Sequence, residues 1–281
     1  MTPDDYCQQK ALRPGSSLYY SLLFLAPAKR CAMYALYAFR QELADVVDQT
    51  TDQNAARIKL AWWRHEVAEL YKGNAQHLVT RALAQAMPNH AIAQERLDEM
   101  IDGREMDLLQ SRYHDFAGLK RYCTLVGGAV QLGAAGILGA SQPASQPASH
   151  AYASNLGLAC ELARIIRCVG EDARRGRVYL PVDELQRFGV PIADILNARY
   201  SDGFARLMQF QYERSLGHFE TALAVLPEAD RKAQRPSLII AALYRALLEE
   251  IRADGFRVLH QRTSLTPIRK LWQAWKTWVR A

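Results

Sequence analysis

Apolar residues recur at helical spacing along most of the chain. They are three or four residues apart throughout 29–49, 203–225 and 236–259, which is the pattern of an amphipathic helix. No segment shows a convincing alternation of apolar and polar residues, which would indicate a half-buried strand. The pattern therefore predicts an all-α protein.

Two segments interrupt the helical pattern. Residues 1–15 are polar and contain Pro3, Pro14 and Gly15, so they are predicted to form a short, loose arm. Residues 141–149 repeat a Gln-Pro-Ala-Ser sequence without any apolar period. We therefore expect a flexible surface loop over 141–150.

The last segment, 267–281, has a composition of its own. Its apolar residues recur at helical spacing, and the positions between them carry cations. This is the composition of a basic amphipathic helix that lies on an anionic bilayer. Docking of the same helix onto the protein's own surface is the alternative.

Composition and charge limit the possible partners. The net charge of +6 favours anionic partners, which include nucleic acid, phospholipid and diphosphates, but the sequence contains no nucleic-acid-binding motif. Apolar runs end well before the roughly 18 residues of a membrane span. Five scattered cysteines predict neither a disulfide framework nor a zinc site. We expect a cytoplasmic protein, with a peripheral position at the inner face of the membrane as a further option.

Charged residues of both signs are clustered at the end of the helix that is predicted before residue 175. Glu171 and Asp172 are followed by Arg174, Arg175 and Arg177. The cluster is either a solvated helix end with compensating charges or a diphosphate site. In the second case carboxylates would hold Mg²⁺, the metal would hold phosphate oxygens, and arginines would neutralise the remaining charge.

Residues 161–181 resemble the second acidic motif of the squalene/phytoene synthase family. Bacterial presqualene diphosphate synthases, which are most similar, read roughly Q-L-x-N-I-x-R-D-V-G-E-D-A-R-R-G-R-x-Y-L-P, and this chain reads E-L-A-R-I-I-R-C-V-G-E-D-A-R-R-G-R-V-Y-L-P. Further resemblance covers 16–30, 60–66, 96–109 and 122–131. It implies the isoprenoid synthase fold, a single helical bundle with a central cavity, over residues 1–281.

The first acidic motif is also recognisable, at residues 37–48. The family pattern Y-A-F-C-R-E-x-D-D-x-x-D places two carboxylates four residues apart on one helix face, where they grip Mg²⁺. Here Ala44 replaces the first of these carboxylates and Asp48 retains the second, while Asp45 lies about 100° round the helix. Gln41 replaces an arginine that contacts diphosphate, and the neighbouring Arg40 is expected to point elsewhere.

The second motif departs from the family at three polar positions. Glu161 replaces a glutamine, Arg164 replaces an asparagine that ligates magnesium in the family, and Cys168 replaces the first aspartate of the second pair. An arginine cannot coordinate a metal because it has no lone pair to offer. The polar positions that keep the family residue are Arg167, Glu171 and Asp172.

The resemblance assigns roles to individual positions. Asp48 and Asp172 are the remnants of the catalytic carboxylate pairs, and a weak or absent Mg²⁺ site is expected at Asp45, Asp48, Glu171 and Asp172. Asp102, Glu105 and Asp107 are interpreted as a polar helix face. The substrate-binding positions are Tyr37, Gln41, Tyr122, Arg167, Arg174, Arg177, Tyr244 and Arg262.

Two functions follow from this combination of retained and lost positions. The first is a non-catalytic or severely impaired family member, without a cofactor, that binds an isoprenoid or a protein partner at the membrane surface. The second is an active enzyme that condenses two farnesyl diphosphates head to head with Mg²⁺. Its relocated metal ligands would come from Glu42, Asp45, Glu161 or Glu171.

Overall fold

The protein is all-α, as the apolar periodicity predicts. The structure is a computed structural model that describes residues 1–12, 16–139 and 146–281. Over these ranges there is no β-strand, and only an isolated bridge joins Arg112 to Val178. In chain order the helices are α1 (Pro3–Ala11), α2 (Ser17–Leu22), α3 (Pro27–Gln49), α4 (Gln53–Tyr71), α5 (Leu78–Ala86), α6 (Gln94–Leu109), α7 (Phe116–Cys123), α8 (Ala129–Leu138), α9 (Gln146–Arg174), α10 (Val182–Arg187), α11 (Ile192–Leu196), α12 (Asp202–Val225), α13 (Glu228–Arg231), α14 (Arg235–Ala253) and α15 (Pro267–Arg280).

Helix α9 forms the centre of the bundle. It packs against α8, α12 and α14, and most of its side chains are buried, which is typical of a helix that has apolar residues on all sides. Three charged residues, Glu161, Arg164 and Asp172, lie on one face of α9 together with Cys168. The fold therefore places the second acidic motif inside the bundle.

Two glycines let α9 touch the chain between α7 and α8. This connection is the π-helical turn Thr124–Gly128. A Cβ atom built on Gly157 would lie 2.3 Å from the carbonyl oxygen of Gly127, and a Cβ atom on Gly127 would lie equally close to Gly157. The backbones are therefore in direct contact, and no larger residue fits at either position.

The loose arm predicted for residues 1–15 is wrong for the part that the structure describes. Thr2 and Asp5 form a capping box that starts α1, and Cys7 on this helix is completely buried. The Tyr6 hydroxyl donates to Glu42 of α3 at 2.5 Å. The cap and the packing against α3 and α5 order a segment that looked polar. Residues 13–15 lie outside the described part.

The flexible loop predicted for 141–150 is also partly wrong. Residues 146–150 form the first turn of α9, and the buried Ser149 hydroxyl donates to Asp230 at 2.5 Å. Residues 141–145 lie outside the described part of the chain. The helix predicted to reach residue 259 ends at Ala253, where Gly255 turns the chain with a φ of +67°.

Helix α15 confirms the amphipathic pattern seen near the C-terminus. It begins at a Thr266 cap and packs against α2 and α14. Among the described residues, no helix has the length and the apolar content that crossing a membrane would require.

The glycine contact predicts a specific loss of stability. We expect Gly157→Ala to lower the free energy of unfolding by about 1–3 kcal/mol, because the added methyl group collides with the Gly127 carbonyl. Gly217→Ala in α12 is the matched control, since no atom lies within 4 Å of the added Cβ there. The control should be neutral or stabilising by up to about 1 kcal/mol. Denaturant unfolding measures both, and equal effects would contradict the contact.

Candidate active site

A cavity of about 580 Å³ lies between the helices that carry the two acidic motifs. Its walls come from α2, α3, α8, α9, α14 and α15, and its apolar lining includes Val130, Ile240 and Leu265. Of the predicted substrate-binding residues, those that line it are Tyr37, Gln41, Arg167, Tyr244 and Arg262.

The cavity wall carries a group of cations. Arg167, Arg262 and Lys270 are on its lining. Burial, together with the positive charges of Arg167 and Arg262, lowers the pKa of Lys270. The buried Nε atom of Arg167 has no hydrogen-bond partner among the described residues. A bound anion would relieve both conditions, because it would supply an acceptor and opposite charge.

Arg40 belongs to the same wall, contrary to the expectation that it points elsewhere. It lines the cavity, and its Nη2 atom lies 3.7 Å from Glu161. Gln41, which also lines the cavity, donates its amide to Asp45 at 2.7 Å. Arg40 thus brings a positive charge to the cavity, one residue before Gln41, which replaces the arginine of the family motif.

Arg164 bridges two acidic side chains of α9. Its Nε atom donates to Glu161, and its Nη1 atom donates to Asp172 at 3.2 Å. Its guanidinium also lies 5.1 Å from the centre of the Tyr179 ring. The arginine that replaces the family's asparagine therefore spans the space between these carboxylates.

Burial and the arginine charges act in opposite directions on the pKa values of both acids. Burial by itself would raise the pKa of Glu161, but the charges of Arg164, Arg40 and Arg104 lower it below its ordinary value. Burial dominates at Asp172 and raises its pKa, although Arg164 and Arg177 oppose that shift.

Asp48, the surviving acid of the first motif, is held by two arginines. Arg177 Nη2 donates to it at 2.5 Å, and Arg175 Nη1 lies 3.5 Å away. Burial would raise the pKa of Asp48, but the hydrogen bond and the charges of these arginines lower it. Asp48 and Asp172, the remnants of the two carboxylate pairs, are thus each ion-paired with arginine.

The proposed replacement ligands face other partners. Lys10 of α1 lies 2.9 Å from both Glu42 and Asp45. Glu171 lies 3.7 Å from Arg262 at the cavity, and Glu161 is held by Arg164. Each of these acids is therefore paired with a cation.

This donor set does not fit a magnesium cluster. Mg²⁺ needs several oxygen donors around one point. Within residues 1–12, 16–139 and 146–281, no three His, Cys, Asp or Glu side chains are grouped so as to hold a metal ion. Ala44 offers no donor, and the buried Cys168 supplies sulfur where the family has an aspartate.

Three predicted substrate-binding residues lie away from the cavity lining. Tyr122 is fully buried and donates to Asp107 at 3.1 Å. Arg177 holds Asp48, and Arg174 donates to the Leu259 carbonyl at 3.3 Å. Tyr122 therefore joins α7 to α6, whereas Arg174 and Arg177 connect the end of α9 to neighbouring segments.

Asp107 is a site residue that the sequence analysis missed. It was interpreted as part of a polar helix face, yet its side chain is 1% exposed. It accepts from Tyr179 at 2.6 Å and from Arg104 at 3.0 Å. Asp107 is one of several acidic residues on α6, and its spacing does not distinguish it from the others, while Tyr179 comes from a distant part of the chain. Lys270 was counted only among the cations of the C-terminal helix.

Comparison with known proteins agrees with this architecture. The squalene/phytoene synthase family model matches residues 12–269. The chain belongs to this family. Its relatives include the 15-cis-phytoene synthases of Synechocystis sp., 30% identical over 99% of this chain and 85% of that protein, and of Synechococcus elongatus, 32% identical over 94% and 89%.

Other relatives are longer than this chain. A chloroplastic phytoene synthase of an Oncidium hybrid cultivar is 30% identical over 95% of this chain, which spans 65% of that protein.

Solved structures share the fold of this family member. A dehydrosqualene synthase in complex with a ligand gives a TM-score of 0.86 at 23% identity, covering 99% of this chain and 96% of that one. The squalene synthase HpnC of Alicyclobacillus acidocaldarius gives 0.75 at 24% identity, covering 90% and 94%. The isoprenoid synthase fold is thereby confirmed.

The Arg164 bridge predicts a large stability difference between buried and exposed ion pairs. We expect Arg164→Met to lower the free energy of unfolding by about 3–5 kcal/mol, because Glu161 and Asp172 would lose a buried partner. Lys72→Met, which breaks an exposed pair with Glu69, should cost no more than about 1 kcal/mol. Chemical denaturation at neutral pH measures both. Similar costs would show that the bridge is not formed.

Proposed function

We propose that this protein binds an isoprenoid diphosphate without magnesium and is catalytically silent or severely impaired as a synthase. The observation that carries the proposal is the Arg164 bridge between Glu161 and Asp172. It puts a fixed positive charge where the family resemblance implies an asparagine ligand to Mg²⁺. A divalent cation at this place would be repelled by the guanidinium and would find few oxygen donors.

The cavity supports the binding half of the proposal. Arg167, Arg262 and Lys270 offer donors and positive charge to a diphosphate, and guanidinium groups match phosphate oxygens in bidentate geometry. The apolar lining, which includes Val130 and Ile240, suits a prenyl chain.

The loss of metal ligands supports the catalytic half. Ionisation of an allylic diphosphate needs strong stabilisation of the departing negative charge. The arginines nearest the motif aspartates are engaged by protein carboxylates, as Arg177 is by Asp48. If each lost ligand removes a few kcal/mol of transition-state stabilisation, the combined loss is many powers of ten in rate, since about 1.4 kcal/mol is tenfold.

A second candidate is head-to-head condensation of two farnesyl diphosphates. The names of the phytoene synthase relatives, at about 30% identity, favour it. Tyr37, Arg167 and Tyr244 also remain on the cavity wall. This candidate requires Asp48 and Asp172 to exchange their arginine partners for Mg²⁺.

Binding and turnover of farnesyl diphosphate distinguish the two candidates. Titration calorimetry should detect binding whose affinity changes less than about threefold between excess Mg²⁺ and EDTA, because arginine and lysine supply the charge. Arg167→Gln should weaken binding at least about tenfold. Arg81→Gln, at an exposed position on α5, is the control and should have no effect.

Release of pyrophosphate is measured in the same samples. We expect none above background with Mg²⁺ present. Magnesium-dependent release that increases in proportion to the protein would refute catalytic silence and establish the second candidate. Absence of any binding would refute the metal-free site.

Restoration of the motifs tests the role of Arg164. The double variant Ala44→Asp, Cys168→Asp rebuilds both carboxylate pairs, yet it should not bind a divalent ion tightly while the arginine remains. Adding Arg164→Asn should create a site, because it removes the positive charge and supplies an oxygen donor. Electron paramagnetic resonance of bound Mn²⁺ measures this, with circular dichroism to confirm folding. Tight Mn²⁺ binding by the double variant would contradict the proposal.

A further inference from the structure

The outer face of α15 exposes a continuous apolar stripe. Its members are Ile268, Leu271, Trp272, Trp275 and Val279, which are 82%, 46%, 55%, 49% and 62% exposed. They recur three or four residues apart, so they share one side of the helix. Within the described chain, they form a group of large exposed apolar side chains on a single 14-residue helix. Such a surface marks an interaction site.

The protein's own body covers a different face of α15. Ala274 is fully buried and Lys270 is 7% exposed on that inner face. Trp278 packs against Phe24 at 5.1 Å between ring centres and against the Arg235 guanidinium at 4.8 Å. Docking onto the body therefore accounts for the inner residues and leaves the stripe without a partner among the described residues.

Cations flank the stripe on one edge. Arg269, Lys276 and Arg280 are seven and four residues apart, and α15 contains no acidic residue. Arg269 is ion-paired with Glu250 of α14, so the charge complementarity rests on Lys276 and Arg280. This arrangement complements anionic headgroups, while the indole rings of Trp272 and Trp275 suit the boundary between headgroups and acyl chains. Pairing of two copies through the same stripe would instead bring the cationic edges of two helices into proximity.

We propose that the outer face of α15 docks on an anionic phospholipid bilayer, with the helix axis in the plane of the interface. The apolar stripe enters the acyl boundary, and Lys276 and Arg280 contact lipid phosphates. The inner face stays packed on α2 and α14, so the body of the protein rests on the membrane without rearranging.

This orientation brings the cavity to the membrane surface. Pro267 and Lys270 of α15 line the cavity, as do Ser17 and Leu18 of the neighbouring α2. Tyr19, next to them, is 45% exposed. An isoprenoid chain can then pass between bilayer and cavity alongside α15, a consequence that rests on the proposed function, whereas the docking itself does not.

Vesicle flotation of the full-length protein tests the docking without any isoprenoid present. Binding is compared on phosphatidylcholine vesicles and on vesicles that contain one third phosphatidylglycerol. We expect strong binding to the anionic vesicles only, with a decrease of at least about tenfold at high salt. Equal binding to both vesicle types, or no binding to either, would overturn the proposal.

Matched variants locate the contact. The double variant Trp272→Ser, Trp275→Ser should weaken binding at least about tenfold. The control double variant Ile58→Ser, Trp62→Ser removes comparably exposed residues from α4, 71% and 44% exposed, and should bind as the unaltered protein does. The double variant Lys276→Glu, Arg280→Glu should also lose binding to anionic vesicles. Circular dichroism confirms that each variant is folded.

Two results would assign the stripe elsewhere. If the α4 variant lost binding as strongly as the α15 variant, the contact would not be specific to α15. If no vesicles were bound and sedimentation showed a dimer that the tryptophan variant dissolved, the occupant would be a second copy. Binding of farnesyl diphosphate is measured separately, by calorimetry in solution without vesicles or detergent. Failure of the docking is therefore distinguishable from failure of the proposed function.

Discussion

The pairing of Arg164 with Glu161 and Asp172 determines the chemistry of this site. Two carboxylates in the interior of a bundle need positive charge nearby, because burial strongly disfavours an unpaired anion. The family resemblance implies that magnesium supplies part of that charge in metal-dependent relatives. Here a side chain of the same helix supplies it. The charge of these buried acids is balanced by the fold itself, so the proposed function requires no divalent ion at this place.

The cavity beside this bridge has a different balance of charge. Arg40 lies near Glu161 and Arg262 near Glu171, but Arg167 and Lys270 add positive charge to the same wall, whose lining also includes apolar side chains. Such a wall favours an anionic head attached to an apolar chain. The same fold can thus retain recognition of a ligand while it loses the groups that would break the ligand's bond. Under the proposed function, binding and catalysis are separable because different residues supply them.

Much of the fold was predictable because it depends on local spacing. Helices α3, α12 and α15 follow from apolar residues three or four positions apart, and the substitutions at Ala44 and Cys168 are visible in the motifs. The predictions for residues 1–15 and 141–150 were partly wrong because contacts with residues far away in the sequence order these segments. The sequence of α1 looks polar, and only the structure shows that Tyr6 bonds to Glu42 and that Cys7 is buried. The segment after residue 145 is part of α9, where Ser149 bonds to the distant Asp230.

The sequence by itself determined the family, the helical class and which metal ligands are missing, because these depend on residue type and short spacing. Tertiary structure alone decided where the arginines reach. Asp48 meets Arg177 across 129 positions of sequence, and Asp107 meets Tyr179 across 72. An arginine side chain is long and flexible, so its partner is chosen by whichever helices pack beside it. Only that packing shows that the remaining acids are already neutralised.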